Sequence, residues 1–98
     1  MFIEILAAQS LAFAFAQQST SEMREEIIEA SISIYDGNCP CPYNLTANGS
    51  RCGARSAWSK VGGADPYCFE RDIASHELEE LFQIATGSGS KIRLLRRQ

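Results

Sequence analysis

Four cysteines in the middle of the chain are the residues best suited to chemistry in this sequence of 98 residues. Cys39-Pro40-Cys41 is followed by Cys52 and Cys68. Two cysteines separated by a single proline would close a badly strained ring, so each is expected to bridge to a distant partner. Two pairings satisfy this condition: Cys39–Cys52 with Cys41–Cys68, or Cys39–Cys68 with Cys41–Cys52. The spacing does not choose between them.

Four thiolates also suit a tetrahedral zinc centre, which is the main alternative use of these side chains. Zinc knuckles usually present two closely spaced cysteine pairs, whereas this chain has one C-x-C followed by gaps of ten and fifteen residues. Redox catalysis is disfavoured because a C-x-x-C signature is lacking. The spacing therefore favours disulfides without a cofactor or metal, and disulfides place the protein in an oxidising compartment, periplasmic or secreted.

The stretch Arg51–Lys60, which reads RCGARSAWSK, is the second candidate site. One hypothesis has its cations and a hydroxyl group hold a phosphate or carboxylate while its tryptophan stacks on a base or sugar. The residues of this ligand-binding hypothesis are Arg51, Arg55, Ser56, Trp58 and Lys60. The structural interpretation, which we favour, has Trp58 cover the disulfides while Arg55 hydrogen-bonds loop carbonyls.

Catalytic residues are not indicated elsewhere in the sequence. His76 is the only histidine, and no nucleophile or metal ligand can be placed beside it. The nearby glutamates read as a solvated helix face, and no pair of carboxylates is spaced for acid–base work. A net charge of −3 does not mark the protein as a nucleic-acid or membrane binder. The sequence predicts a protein that is not an enzyme.

Residues 1–16 have the features of a secretion signal. Ile5 to Ala16 is mostly apolar and ends in Ala14-Phe15-Ala16, which supplies small residues before a cleavage site. This run is too short to span a bilayer, for which about 20 residues are needed. Glu4, however, stands where a positive charge is expected. We expect cleavage after Ala16 and a mature chain without a transmembrane span.

Two amphipathic helices are predicted to position the cysteine-rich segment. The first begins at Ser19, where Glu22 completes a capping box, or at Ser21, and it ends at Asp36-Gly37. Its apolar stripe comprises Met23, Ile27, Ala30 and Ile34, widened by Ile28, Ile32 and Tyr35. The second begins at Ser75, and its stripe comprises Leu78, Leu81, Phe82 and Ala85.

The predicted fold is a small α-rich disulfide-stapled domain over residues 17–86, in which the two helices flank an irregular Cys/Gly/Pro-rich loop module. Residues 87–98 are predicted to be a flexible Gly-Ser linker and a basic tail. The cations of this tail suit nucleic acid or an anionic surface, and they are Lys91, Arg93, Arg96 and Arg97. The alternative is a frayed tail, or one lying on the glutamates of the first helix.

The motif order from Ile27 to Phe69, CPCPYN, CGARSAW, GG and PYCF, resembles a family of small bacterial secreted proteins of unassigned function. In those relatives an Ile- and Ala-rich helix leads into CPCPY, a CG-RSA(Y/W) segment and a PGG-P-CY close. This chain departs from them at Val61, where they tend to have proline, and at Phe69, where they have tyrosine. The resemblance implies export and a cysteine-stapled fold. Some members carry the module beside a staphylococcal-nuclease-like domain, which hints at nucleic acid.

Three functions follow as hypotheses. The first is an exported, non-catalytic module with a binding or structural role in the cell envelope. The second is a nucleic-acid or phosphate-binding accessory that uses the Arg/Trp/Lys stretch and the basic tail. The third is a four-cysteine zinc module.

Overall fold

A computed structural model describes residues 19–60, 64–87 and 89–97, and the predicted signal peptide lies outside these ranges. Two α-helices, α1 (Thr20–Ile34) and α2 (Leu78–Thr86), flank the cysteine-rich segment. Two short strands, β1 (Ala64–Pro66) and β2 (Leu95–Arg97), form an antiparallel ladder. Short 3₁₀ turns lie at Gly53–Arg55, Glu70–Asp72, Ser75–Glu77 and Lys91–Leu94. The predicted class, a small α-rich domain stapled by disulfides, is confirmed.

Within the described ranges, neither helix combines the length and the hydropathy that crossing a bilayer requires.

Helix α1 starts as its capping signal predicts. The Glu22 N–H donates to the Ser19 side chain at 3.1 Å, and the Ser19 N–H donates back to the Glu22 carboxylate at 3.1 Å. These reciprocal bonds satisfy donors that the first helical turn would otherwise leave unpaired. The helix ends earlier than predicted, since Tyr35 already has an extended backbone and closes the helix as its C-cap.

The hydrophobic core joins the two helices to the segment between them and to the C-terminal tail. Its buried members are Ile27, Tyr67, Ile73, Leu78, Leu81 and Leu94. The predicted stripe of α2 is confirmed, because Leu78 and Leu81 are buried and Phe82 and Ala85 pack against them. This helix is entered through the 3₁₀ turn Ser75–Glu77, so its regular part begins at Leu78 rather than at the predicted cap Ser75.

The basic tail behind the predicted flexible linker is held against the rest of the protein. Leu94 is fully buried in the core, and β2 pairs with β1 so that Arg96 lies opposite Asp65. The Gly-Ser run predicts freedom in the linker itself but says nothing about the segment behind it. Residues 91–97 are ordered because Leu94 buries an apolar side chain and the ladder satisfies backbone groups.

Ser31 is a fully buried polar residue in the middle of the apolar face of α1. Its hydroxyl donates to the carbonyl oxygen of Leu94 and accepts the N–H of Tyr67, the latter at 2.8 Å. One side chain therefore connects α1, the segment after β1 and the tail. The helical stripe gave no signal for this role, because serine reads as a polar interruption.

Replacing this hydroxyl tests its contribution. Ser31→Ala is expected to lower the free energy of unfolding by about 1–3 kcal/mol, because the buried Tyr67 N–H loses its acceptor. Ser33→Ala is the matched control, since that exposed hydroxyl bonds only the carbonyl of Ala30 in its own helix. Urea unfolding followed by circular dichroism measures both variants. Equal stability of the two variants would contradict the proposed linking role.

The cysteine-rich segment is ordered by backbone hydrogen bonds between its two halves. The N–H groups of Ala57 and Trp58 donate to the carbonyls of Cys39 and Pro40, at 2.8 and 3.1 Å. At the tip, Gly49 follows Asn48 and takes the left-handed backbone conformation (φ 89°), which glycine adopts without steric cost. The segment thus has defined backbone geometry although it contains little regular secondary structure.

Candidate functional site

All four cysteines are paired, and the pairing is the first of the two that the sequence left open. Cys39 bonds Cys52, and Cys41 bonds Cys68, with Cα atoms 5.7 Å apart in both pairs. The four-cysteine zinc site is therefore not supported, because no thiolate remains to bind a metal. Within the described ranges, no group of three or more His, Cys, Asp or Glu side chains converges on a metal-sized space.

The residues of the predicted Arg/Trp/Lys site differ in their exposure to solvent. Ser56 is fully buried, and its hydroxyl donates to the Ser59 hydroxyl at 3.0 Å, so it does not face a ligand. Arg51, Arg55 and Lys60 are exposed, whereas Trp58 is only partly so. Among the described residues, Arg55 does not form the predicted hydrogen bonds to loop carbonyls. Backbone N–H groups bond carbonyls of the loop instead.

The indole of Trp58 packs against the segment that follows Cys68. Its Nε1–H donates to Asp72 Oδ2 at 2.8 Å, and its ring meets that of Phe69 edge to face with centroids 4.9 Å apart. The guanidinium carbons of Arg71 and Arg96 each lie 5.7 Å from the indole centroid. Stacking of this indole on an added base or sugar would therefore compete with internal contacts.

Asp72 is the centre of a buried polar network that no pattern in the sequence predicts. The same carboxylate oxygen that accepts the Trp58 indole also accepts the backbone N–H groups of Cys68 and Phe69, each at 2.9 Å. Its second oxygen lies 3.7 Å from Arg96, which also binds the buried Asp65 at 2.8 Å. Carboxylates that accept several hydrogen bonds are held in place, and this network fixes the ring cluster beside the disulfides.

The tail cations whose side chains are described are engaged inside the protein. Lys91 donates to the carbonyls of Ile84 and Gly87 at 2.8 Å each, which satisfies groups at the C-terminal end of α2. Arg93 pairs with Glu80 of α2, and Arg96 belongs to the network described above. The predicted tail surface for nucleic acid therefore loses much of its free charge to intramolecular contacts.

The chain also contains an open groove between α1 and the segment that follows Cys68, with a volume of about 450 Å³. Its walls are apolar, with Ile28 and Ile32 on the helix and Tyr43 and Phe69 opposite. Its rim carries three exposed carboxylates, those of Glu25, Glu29 and Glu70. We call this surface the acidic groove.

Sequence reasoning missed the acidic groove for a physical reason. The stripe of α1 was wide enough to indicate it, because Ile32 extended beyond the face that a single core needs. The opposite wall depends on which cysteine pairing forms, and the spacing left that open. The Cys41–Cys68 bridge brings Phe69 and Tyr43 together, with ring centroids 5.6 Å apart at 85°.

The titration of Tyr43 and Tyr67 tests how far the fold buries these two phenols. Burial raises the pKa of both phenols above their ordinary value, helped by Asp72 at Tyr43 and by Glu77 at Tyr67. The Tyr43 hydroxyl also donates to the carbonyl of Cys68 at 2.8 Å. A raised folded-state pKa contributes stability that is complete below the unfolded value of about 10 and is lost as pH rises through the folded value.

We therefore expect the free energy of unfolding to fall as pH rises above about 10. Urea unfolding at about pH 9 and about pH 11, with phenolate absorbance as the titration readout, measures this dependence. The Tyr43→Phe variant should lose part of it. A folded protein whose tyrosines all titrate at the ordinary value would contradict the burial described here.

No protein-family model, no curated protein and no solved structure matches this chain.

Proposed function

We propose that the chain is an exported, non-catalytic module that is stapled by two disulfides and acts in the cell envelope by binding a partner or as a structural unit. The observation that carries this proposal is the pairing of all four cysteines. Structural disulfides form and persist outside the reducing cytoplasm. The apolar run that ends at Ala16 and the resemblance of the CPCPY and CGARSAW motifs to small bacterial secreted proteins support the same compartment.

The non-catalytic part of the proposal is supported by where the polar side chains lie. His76 is exposed on the turn before α2, and none of the ion pairs among the described residues includes it. Asp72 is occupied by Trp58 and two backbone N–H groups, and Asp65 is bound by Arg96. A general acid or base must be within reach of a reacting group, and these carboxylates are engaged internally.

The test is intact-mass analysis of the protein from fractionated cells. We expect the mass of a chain that begins at Gln17, found in the periplasm or the medium. Alkylation without reductant should leave that mass unchanged, and alkylation after reduction should add four groups. An Ala16→Asp variant is the control, because a charged side chain at the cleavage position should block processing. Cytoplasmic protein with four reactive thiols would overturn the proposal.

Nucleic-acid binding remains the main alternative and is less well supported. Ser56 and Trp58 are used internally, which leaves Arg51, Arg55 and Lys60 as exposed cations of that stretch. We expect weak association with single-stranded DNA, without the steep loss of affinity on adding salt that many phosphate contacts produce. Fluorescence anisotropy with a labelled oligothymidylate, titrated from about 50 to about 200 mM salt, measures this. Tight and steeply salt-dependent binding would favour the nucleic-acid function instead.

A further inference from the structure

The apolar wall of the acidic groove is only partly covered by the fold itself. Ile28 packs partly against the core, but Ile32 is half-buried and does not belong to the apolar residues packed on that cluster in the described ranges. Tyr43 is 41% exposed, so much of its ring faces solvent. A partly exposed patch of isoleucine and tyrosine side chains beside a concave surface is typical of a site that a partner covers.

The rim of the groove carries negative charge that is not neutralised within the described residues. Glu25 and Glu29 are one helical turn apart on α1, a spacing at which like charges destabilise a helix. Glu70 faces them and accepts only a hydroxyl, that of Ser21 at 2.9 Å. The ion pairs of the described ranges involve Glu80, Asp65 and Asp72 but none of these three glutamates.

A cation among the described residues lies beside the Phe69 wall of the groove. The guanidinium carbon of Arg71 lies 4.4 Å from the ring centroid of Phe69 and extends the same stack towards Trp58. It forms no ion pair with the rim glutamates. The charged residues that line the groove are the three glutamates, so the lining itself is net negative around apolar walls.

The dimensions of the groove suit a peptide. The helical wall from Glu25 to Ile32 is about 10 Å long at the rise of an α-helix. An extended chain covers that length with about three residues. The groove is open to solvent, so a short chain segment can reach its apolar walls.

We propose that the acidic groove binds a cationic segment of another protein, in which lysine or arginine side chains alternate with apolar ones. The apolar side chains lie against Ile28, Ile32 and Phe69, and the cations meet the rim carboxylates. Charge complementarity selects this partner over an anionic one, since a nucleic acid or acidic lipid would meet like charge at the rim. The inference rests on the proposed function in one respect, namely that the oxidised module acts by binding.

The experiment uses purified, oxidised protein and a fluorescein-labelled peptide of sequence Lys-Leu-Lys-Phe-Lys, followed by fluorescence anisotropy at about 50 mM salt. We expect saturable binding that weakens as salt is raised. The peptide Glu-Leu-Glu-Phe-Glu tests the charge, and Lys-Gly-Lys-Gly-Lys tests the apolar contact. Each control peptide should bind at least about tenfold more weakly, because the first lacks the cations and the second lacks the apolar side chains.

Protein variants assign the binding to the groove. Glu25→Gln with Glu29→Gln should weaken binding about three- to tenfold, since two exposed charge pairs are lost. The matched control is Glu26→Gln with Glu79→Gln, which makes the same change in net charge at exposed residues outside the groove lining. Ile32→Ala should also weaken binding about three- to tenfold while leaving the fold intact, because Ile32 lies outside the core.

Several outcomes would overturn the inference. One is the absence of binding up to about 1 mM peptide. Another is that the Glu25→Gln/Glu29→Gln variant and its matched control bind the peptide equally weakly. If the wild-type protein sedimented as a dimer and the Glu25→Gln/Glu29→Gln variant as a monomer, the occupant of the groove would be a second copy of this chain. None of these results bears on export or oxidation, which intact-mass analysis decides separately.

Discussion

Removing the Cys41–Cys68 disulfide is expected to lower the free energy of unfolding by about 3.5 kcal/mol, as the loop-entropy relation predicts for this bridge. The two cysteines are 27 positions apart, against 13 for Cys39 and Cys52, so Cys41–Cys68 restricts the unfolded chain more. Small domains have unfolding free energies of about 5–15 kcal/mol, so the loss is a large fraction of the total. The bridge also holds one wall of the acidic groove, so peptide binding should be lost with it.

The measurement is urea unfolding of the Cys41→Ala/Cys68→Ala double variant under oxidising conditions. Alanine is chosen because Cys41 and Cys68 are buried, and a serine hydroxyl there would be unsatisfied. The Cys39→Ala/Cys52→Ala variant is the matched control, with an expected loss of about 3 kcal/mol and a groove that still binds the peptide. Full stability after loss of Cys41–Cys68 would contradict the view that sulfur bridges hold this part of the molecule.

Asp72→Ala is expected to destabilise the protein by about 3–4 kcal/mol, because three hydrogen-bond donors lose a common acceptor. The Asp72 side chain is only 5% exposed, so water cannot replace the carboxylate fully. The Trp58 indole would lose its anchor, and the ring cluster with Phe69 would loosen. Trp58 is the only tryptophan, so its fluorescence reports both the local change and global unfolding.

Two further variants separate the role of Asp72 from a general effect of charge. Asp72→Asn keeps an oxygen acceptor but loses the attraction to Arg96, and it should cost about 1–2 kcal/mol. Asp36→Ala removes an exposed carboxylate just beyond α1 and should change stability by less than about 0.5 kcal/mol. If Asp72→Ala behaved like Asp36→Ala, the buried network would have no structural importance.

The sequence predicted the helices well because local chemistry decides them. Ser19 and Glu22 satisfy the first turn of α1 whatever else the chain does, and the apolar spacing of α2 marks its buried side. The irregular character of the segment between them followed from its prolines, glycines and cysteines. The choice of cysteine pairing did not follow, because it depends on how the loop is folded and not on spacing.

The tail and the polar networks were not predictable for the same reason. Arg96 reads as a free cation in the sequence, but its partners Asp65 and Asp72 are 31 and 24 positions away. Ser31 reads as a break in an apolar stripe, although it connects three segments of the fold. Long-range pairing of polar groups leaves no periodic signal in a sequence. Whether the cations of the Arg51–Lys60 stretch and of the basic tail are free to bind a ligand depends on such pairing.

The loops closed by the two disulfides overlap along the chain, and this overlap determines what a protease can separate. A backbone cut between residues 42 and 51 falls inside both closed loops, and a cut between 53 and 67 falls inside one. In either case the fragments stay covalently joined, so the nicked protein migrates as one species until it is reduced. Proteolysis of the loop tip therefore need not release the helices from each other.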